Sequence, residues 1–137
     1  LTNYLTGISV RLEKDSMTYV NAAHPPGLLY RAKTGRIMQL PNDGILLGVP
    51  ELKAEPIISR KAAVLPGDIL FLYTDGLTEA ADASGEMMGV EPVARCIVEN
   101  AGARASEIQD RVIELVQSYS SQFDQVRYDI TFIVAKR

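Results

Sequence analysis

The chain has 137 residues, a mass of 15.0 kDa, a net charge of −3 and a pI near 5.1, which is room for about one domain with a real core. Hydrophobic residues make up 47 % and charged residues 23 %, so a disordered or low-complexity chain is excluded; no stretch approaches the ~20 apolar residues of a membrane span, and an acidic chain with no basic block and no Trp argues against nucleic acid as a partner. One cysteine and one histidine exclude an internal disulfide and zinc sites built from Cys and His, so any metal here must be held by oxygen.

Residues 1–10 lack the basic-then-apolar order of a signal peptide. The chain opens on Leu1 rather than Met, which leaves room for a segment upstream. Residues 5–12 alternate at Ile8, Val10 and Leu12, and Glu13-Lys14-Asp15-Ser16 supplies turn chemistry before Met17-Thr18-Tyr19-Val20 resumes an extended pattern, which predicts a hairpin. Pro25-Pro26-Gly27 makes a rigid corner. Residues 28–31 read as a third strand and 36–40 as a fourth, joined by Lys33-Thr34-Gly35. A β-meander is the simplest account of this half. Leu46-Leu47-Gly48-Val49 is a short apolar element, and 57–63 reads as a further strand.

Pro66-Gly67-Asp68 then punctuates the chain before Ile69-Leu70-Phe71-Leu72-Tyr73-Thr74. That run is apolar on both faces, the mark of a central strand. Residues 78–89, rich in Ala, Ser, Gly and Asp, read as a mobile loop. The period changes after Gly89: Val90, Val93, Ala94, Ile97, Val98 and Ala101 recur at helical spacing, with Pro92 in the first turn and Gly102 past the end. Cys96 falls in this pattern and reads as a buried, inert thiol. Ser106 with Gln109 three residues on suggests a capping box for a second helix, whose apolar stripe is Ile108, Val112, Leu115, Val116 and Tyr119. Residues 130–134 read as a closing strand. Many strands, then two helices, then a strand predict an α+β fold, with helices laid on antiparallel sheet.

Three residues could carry chemistry. Asp75 follows the most buried strand in Thr74-Asp75-Gly76-Leu77-Thr78-Glu79-Ala80, where a rigid element would hold its carboxylate at the sheet edge. Gly76 would let the backbone turn sharply or approach a ligand. Such oxygen donors suit Mg²⁺ or Mn²⁺, which take one or two carboxylates plus waters; Asp-Gly is also one of the commonest turn dipeptides. Asp129 opens the last strand. If that strand runs antiparallel beside residues 69–74, Asp75 and Asp129 share one sheet edge; alone, Asp129 reads as a strand-entry turn or a helix-to-strand cap. His24, before two prolines, is either a general acid or base near neutral pH or a structural histidine bonding at the corner.

Taken in order, these segments resemble the SpoIIE/RsbU-type serine phosphatases of the PP2C (PPM) superfamily. Asn21-Ala22-Ala23-His24-Pro25-Pro26-Gly27-Leu28-Leu29 is similar to that family's N-A-G-H-P-P hairpin, and Gly44-Ile45-Leu46-Leu47-Gly48 to its G-x-x-L-G segment. Residues 65–80, centred on Thr74-Asp75-Gly76, form the strongest match. Gly85-Glu86-Met87-Met88-Gly89 follows with Met88 where the family often has Phe, and Tyr128-Asp129-Ile130-Thr131 resembles its D-D-I-T.

The resemblance implies a PP2C-like antiparallel β-sandwich flanked by helices, incomplete at the N-terminus, with 1–137 as the C-terminal part of one phosphatase domain. It implies a cytoplasmic protein serine/threonine phosphatase in which two Mn²⁺ or Mg²⁺ ions activate a water for in-line attack on phosphorus, with no catalytic residue beyond that water. Asp75 falls on a family metal-binding aspartate with Gly76 its partner in the motif; Asp129 matches the second Asp of D-D-I-T, and His24 belongs to a structural motif. The implied substrate is a phosphorylated STAS-type anti-sigma factor antagonist, with an upstream sensor or receiver domain in control and no nucleic acid or membrane contact in this segment. Two departures stand out. The family's first metal motif, D-V-S-G-H-G, has no counterpart; before Asn21 only Glu13 and Asp15 are available, both in a hairpin turn. Tyr128 replaces the first Asp of D-D-I-T, and a neutral phenol is a poor Mg²⁺ ligand; Asp129 or Asp124 could compensate only with a backbone shift. The alternative is therefore a catalytically inactive PP2C-like binding module, and the 137 residues by themselves are expected to be inactive.

Overall fold

Among the described residues of the computed structural model, seven strands and three helices follow one another as β1 (Gly7–Leu12), β2 (Ser16–Ala22), β3 (Leu28–Arg31), β4 (Arg36–Gln39), β5 (Arg60–Ala63), β6 (Ile69–Tyr73), α1 (Asp75–Thr78), α2 (Glu91–Glu99), α3 (Ala105–Tyr119) and β7 (Phe132–Lys136). The structure describes residues 3–42, 44–49, 56–120 and 129–137. The chain divides into two compact units, residues 1–26 with 40–65 and residues 27–39 with 66–137. No helix of the described residues is long and apolar enough to cross a membrane.

The first unit is a three-stranded antiparallel sheet in the order β1-β2-β5. The predicted hairpin forms, with Leu12 opposite Met17 and Gly7 opposite Ala22. The central strand β2 shows why the pattern works: Met17, Tyr19 and Asn21 point to one face and are buried, while Thr18 and Val20 between them are only partly covered. The predicted 57–63 strand shrinks to β5, which pairs with β2. Leu5 and Leu47 form an isolated bridge with both main-chain bonds made, so the short apolar element at 46–49 ties down the start of β1.

The second unit is a four-stranded antiparallel sheet in the order β4-β3-β6-β7. A single meander is therefore corrected: β2 and β3 are consecutive in sequence but lie in different sheets. The residues between them contain two prolines, which donate no ladder hydrogen bond. The predicted central strand is central, since β6 pairs with β3 on one side and β7 on the other. Ile69, Phe71 and Tyr73 on one face of β6 join Leu28 and the buried stripe Val93, Ile97, Ile108, Val112 and Val116 of α2 and α3 in one core. Phe71 stacks on Phe132 at 5.3 Å between ring centroids. The helices thus lie on one face of this sheet.

Three boundaries differ from the sequence reading. Helix α3 begins at Ala105, one residue before the expected cap, because the Glu107 carboxylate accepts the Arg104 N–H at 2.8 Å. An ionised acceptor serves an orphan helix N–H better than a neutral hydroxyl does. The last strand starts at Phe132, since Thr131 is occupied with Thr74. Residues 78–89, expected to be mobile, form a closed hairpin: Ala81 bridges Met87, and the Met88 and Gly89 amides bond to Ala80 and Thr78. Cys96, expected to be buried, is only half-buried; desolvation first, and the nearby Glu99 second, push its thiol above the ordinary range.

Asp68 is the main surprise of this unit. Pro66-Gly67-Asp68 reads as punctuation, yet the Asp68 side chain is only 3 % exposed. It accepts a 2.7 Å bond from the Arg31 guanidinium and a 2.9 Å bond from the Ala32 N–H, and its own carbonyl accepts the Arg137 N–H. It locks the β3–β4 turn to the start of β6. Asp68→Ala should therefore destabilise the protein by roughly 2–3 kcal/mol, because two bonds to a buried carboxylate vanish while the Arg31 side chain, 29 % exposed, can turn to water. Urea unfolding reads this directly; a midpoint within error of wild type would show the carboxylate to be dispensable.

Candidate metal centre

Strand β6 delivers Thr74 in extended conformation, and the chain turns at once into the single-turn helix α1, with Asp75 in its first turn. The Asp75 side chain is exposed, and its Oδ1 accepts the Gly76 N–H at 2.9 Å. Its carbonyl accepts the Glu79 N–H at 2.9 Å and the Thr78 hydroxyl at 3.0 Å. Leu77, fully buried, plugs α1 into the core. Gly76 does not make the sharp turn expected of it: it is a buried helical residue and is not among the glycines with positive φ. Asp-Gly here opens a helix rather than closing a turn.

Asp129 is brought to the same place by Thr74. The Thr74 N–H donates to the Thr131 carbonyl at 2.9 Å, and the Thr131 N–H donates to the Thr74 hydroxyl at 3.1 Å. That hydroxyl lies 3.3 Å from the carbonyls of both Asp129 and Thr131. The antiparallel β6–β7 pair, with Tyr73 opposite Phe132, therefore puts Asp75 just beyond the end of one strand and Asp129 just before the start of the other. A groove of about 380 Å³, lined by Gln109, Ile113, Val116, Ile130, Thr131 and Phe132, gives this edge an apolar flank. Thr74 is the residue that the sequence reading passed over. Its signal was its position, the one polar residue closing an apolar strand before Asp75.

Asp75, at the start of α1, and Asp129, three residues before β7, are both exposed carboxylates, of the oxygen-donor type that hard cations take. Among the described residues no group of three or more His, Cys, Asp or Glu side chains gathers, so a second ion would need donors beyond this pair. Tyr128 and Asp124 lie outside the described residues. Glu13 does not compensate: it accepts bonds from Ser16 and Arg11 and lies 3.8 Å from the Lys61 ammonium, with the Ser16 bond the main reason its carboxyl is held below the usual range.

His24 belongs to the first unit. Its N–H donates to the Asn21 side chain at 2.8 Å, its carbonyl accepts from the Asn42 amide at 2.9 Å, and its Nδ1 lies 3.3 Å from the Thr6 hydroxyl. The corner is built around this residue, with Ala23 at φ 52, a region that L-residues with a Cβ adopt at a cost.

Comparisons with known proteins bear on the family and the fold. The family model described as Stage II sporulation protein E (SpoIIE) matches residues 3–137. Phosphoserine phosphatase RsbU of Bacillus subtilis (strain 168) is 27 % identical over 127 residues, covering 92 % of this chain and 36 % of that protein. The chain thus spans about a third of that relative's length. Among solved structures, the SiaA-PP2C domain of Pseudomonas aeruginosa superposes with a TM-score of 0.71 at 18 % identity, covering 90 % of this chain and 46 % of the other. The catalytic domain of the serine/threonine protein phosphatase PstP, in complex with two manganese ions, superposes with a TM-score of 0.66 at 16 % identity, covering 97 % and 58 %. Both show the fold.

Proposed function

The chain belongs to the Stage II sporulation protein E family, and from that premise we propose that it is part of a metal-dependent protein serine/threonine phosphatase acting on a regulatory phosphoprotein. The observation that supports this reading is that Thr74, next to Asp75, bonds through its hydroxyl to the Asp129 carbonyl at one end of the β6–β7 pair. Asp75 and Asp129 would hold Mn²⁺ or Mg²⁺, with Gly76 backing Asp75 through its amide. A bound divalent ion supplies charge neutralisation at the phosphoryl oxygens and a water acidic enough to attack at neutral pH. The chain's own residues supply rigidity: Leu77 anchors α1, and Thr74 fixes the spacing of the two backbones that bear the carboxylates. The substrate class is a phosphoserine or phosphothreonine protein, the fitting candidate being a phosphorylated STAS-type anti-sigma factor antagonist. We place residues 1–137 in a single PP2C-like domain of a cytoplasmic protein that an upstream sensor or receiver domain controls.

The test is Mn²⁺-dependent hydrolysis of p-nitrophenyl phosphate and of a phosphoserine protein by the full-length protein. Turnover of both, abolished by a chelator, is expected; an inert but folded protein would rule the enzyme out. One observation favours a second reading, an inactive PP2C-like binding module: no three-donor cluster among the described residues. Calorimetric titration of the full-length protein with Mn²⁺ separates the two, since two Asp75-dependent binding events belong only to the enzyme. The 137 residues by themselves are expected to be inactive, because one carboxylate pair does not hold two ions.

A further inference from the structure

A groove of about 380 Å³ lies between α3 and the chain that leads into β7, lined by Gln109, Ile113, Val116, Ile130, Thr131 and Phe132. Residues 109, 113 and 116 recur at helical spacing, so they share one face of α3. Along that face Val116 is buried, Ile113 half-buried and Gln109 exposed. On the other wall, Ile130 and Phe132 pack against the core of the second unit but are only partly covered, and Thr131 between them is exposed. Among the described lining residues none is charged, so what the groove offers a ligand is burial of apolar area. A cavity of about 150 Å³ already takes benzene, so this one holds a leucine- or phenylalanine-sized group.

Thr131 joins the groove to the candidate metal centre. The Thr74 N–H donates to the Thr131 carbonyl at 2.9 Å, and the Thr131 N–H donates to the Thr74 hydroxyl at 3.1 Å. Thr74 is followed by Asp75, and Asp129 stands two residues before Thr131. In an extended peptide, residues two positions apart are separated by about 7 Å. A substrate whose phosphorylated residue sits at this end of the β6–β7 pair therefore has neighbouring side chains within reach of Thr131 and the groove it lines. That continuity singles out the occupant, because the reaction proposed at Asp75 itself delivers a peptide chain to this place.

We propose that the groove is the subsite for an apolar side chain one or two residues from the phosphoserine or phosphothreonine of the protein substrate, with Ile113 and Ile130 its principal contacts. This rests on the phosphatase reading given above and adds to it a sequence preference around the phosphorylated residue.

The experiment compares two phosphoserine peptides in the Mn²⁺-loaded full-length protein, one with leucine at the two positions on either side of the phosphoserine and one with serine there. The wild type should favour the leucine peptide about tenfold in kcat/KM, the discrimination that one apolar pocket supplies, with the difference in KM. Gln109→Trp, which puts an indole on the exposed end of the α3 wall to fill the groove, should bring the ratio close to one. Ile113→Ser, which makes the wall polar without filling it, should leave an intermediate ratio. A ratio of two peptides on one sample does not depend on how much of that sample is folded, so a partly unfolded variant still reports. In the metal-free full-length protein, the leucine peptide should shift the Ile113 and Ile130 methyl NMR signals and the serine peptide should not. Turnover without a leucine preference, a preference that survives either variant, or methyl signals that move equally or not at all would overturn the inference alone. Self-association that Gln109→Trp abolishes, with no leucine preference, would give the groove to a second copy and overturn it too. If the wild type turns over neither peptide, the phosphatase reading falls and the inference with it.

Discussion

Asp75→Asn in the full-length protein is expected to lower Mn²⁺-dependent phosphatase activity by at least about 100-fold, since altering even an outer-shell partner of a metal ligand costs 10–100-fold. The same change should leave the metal-free fold almost untouched. Asp75 is exposed, and its side-chain oxygen accepts the Gly76 N–H, a bond that an Asn oxygen can also accept. The loss of a negative charge in the first turn of α1 costs under about 1 kcal/mol. The two states therefore separate cleanly in a thermal melt. With Mn²⁺ at about 100 times its dissociation constant, the wild type gains about 2.7 kcal/mol, and the variant should gain far less. A variant that melts well below wild type without metal would show that Asp75 is structural; one that keeps full Mn²⁺ stabilisation would take it out of the metal centre.

Gly44→Ala is expected to be the most damaging small substitution in the first unit. A Cβ at Gly44 would sit 1.8 Å from the Asn21 carbonyl oxygen and 2.5 Å from the Ala22 Cα. Both are backbone atoms of the end of β2, so no side-chain rotation relieves the clash. The site is clasped from both sides: the Asn42 side chain accepts the Gly44 N–H at 3.1 Å and donates to the His24 carbonyl at 2.9 Å. Asn21 itself is 5 % exposed, so the strand cannot yield toward solvent. A loss of roughly 3 kcal/mol follows, the upper end of overpacking costs, or about 10 °C in melting temperature for a protein of this size. A melting temperature unchanged from wild type would show that residues 42–44 do not sit on the 21–24 corner in solution. The change lies outside the proposed metal ligands, so residual folded protein should keep its Mn²⁺ affinity.

These two residues illustrate what could be read without the fold. Asp75 was legible because its context is local: an apolar strand, a carboxylate and a glycine follow one another in eight residues. Gly44 was legible only as part of a motif. The reason it must be glycine is a contact with residues more than twenty positions earlier, which no periodicity reports. Asp68 was hidden for the same reason. Its partners Arg31 and Ala32 lie far off in sequence, and a buried carboxylate in a Pro-Gly-Asp turn looks like any surface turn until the turn is covered. Thr74 was passed over because a hydroxyl that joins two strand ends has no sequence signature of its own.

The sequence by itself determined the element types. Alternation in residues 5–12 and 17–20, the doubly apolar run at 69–73 and the helical stripes of α2 and α3 are local consequences of side-chain periodicity, and burial follows them. It also determined the family, because ordered motifs survive where overall identity does not. The tertiary structure decided which strands share a sheet, placing β2 with β5 and β3 with β6. Pairing is chosen by the free energy of distant surfaces meeting, and the chain between them leaves no trace of that choice. It likewise decided that Thr74 bonds to the residues before β7, that residues 78–89 close into a hairpin, and that Met87 is exposed while Met88 is buried. The Thr74 bonds join residues more than fifty positions apart, and only the folded backbone brings such donors and acceptors within reach.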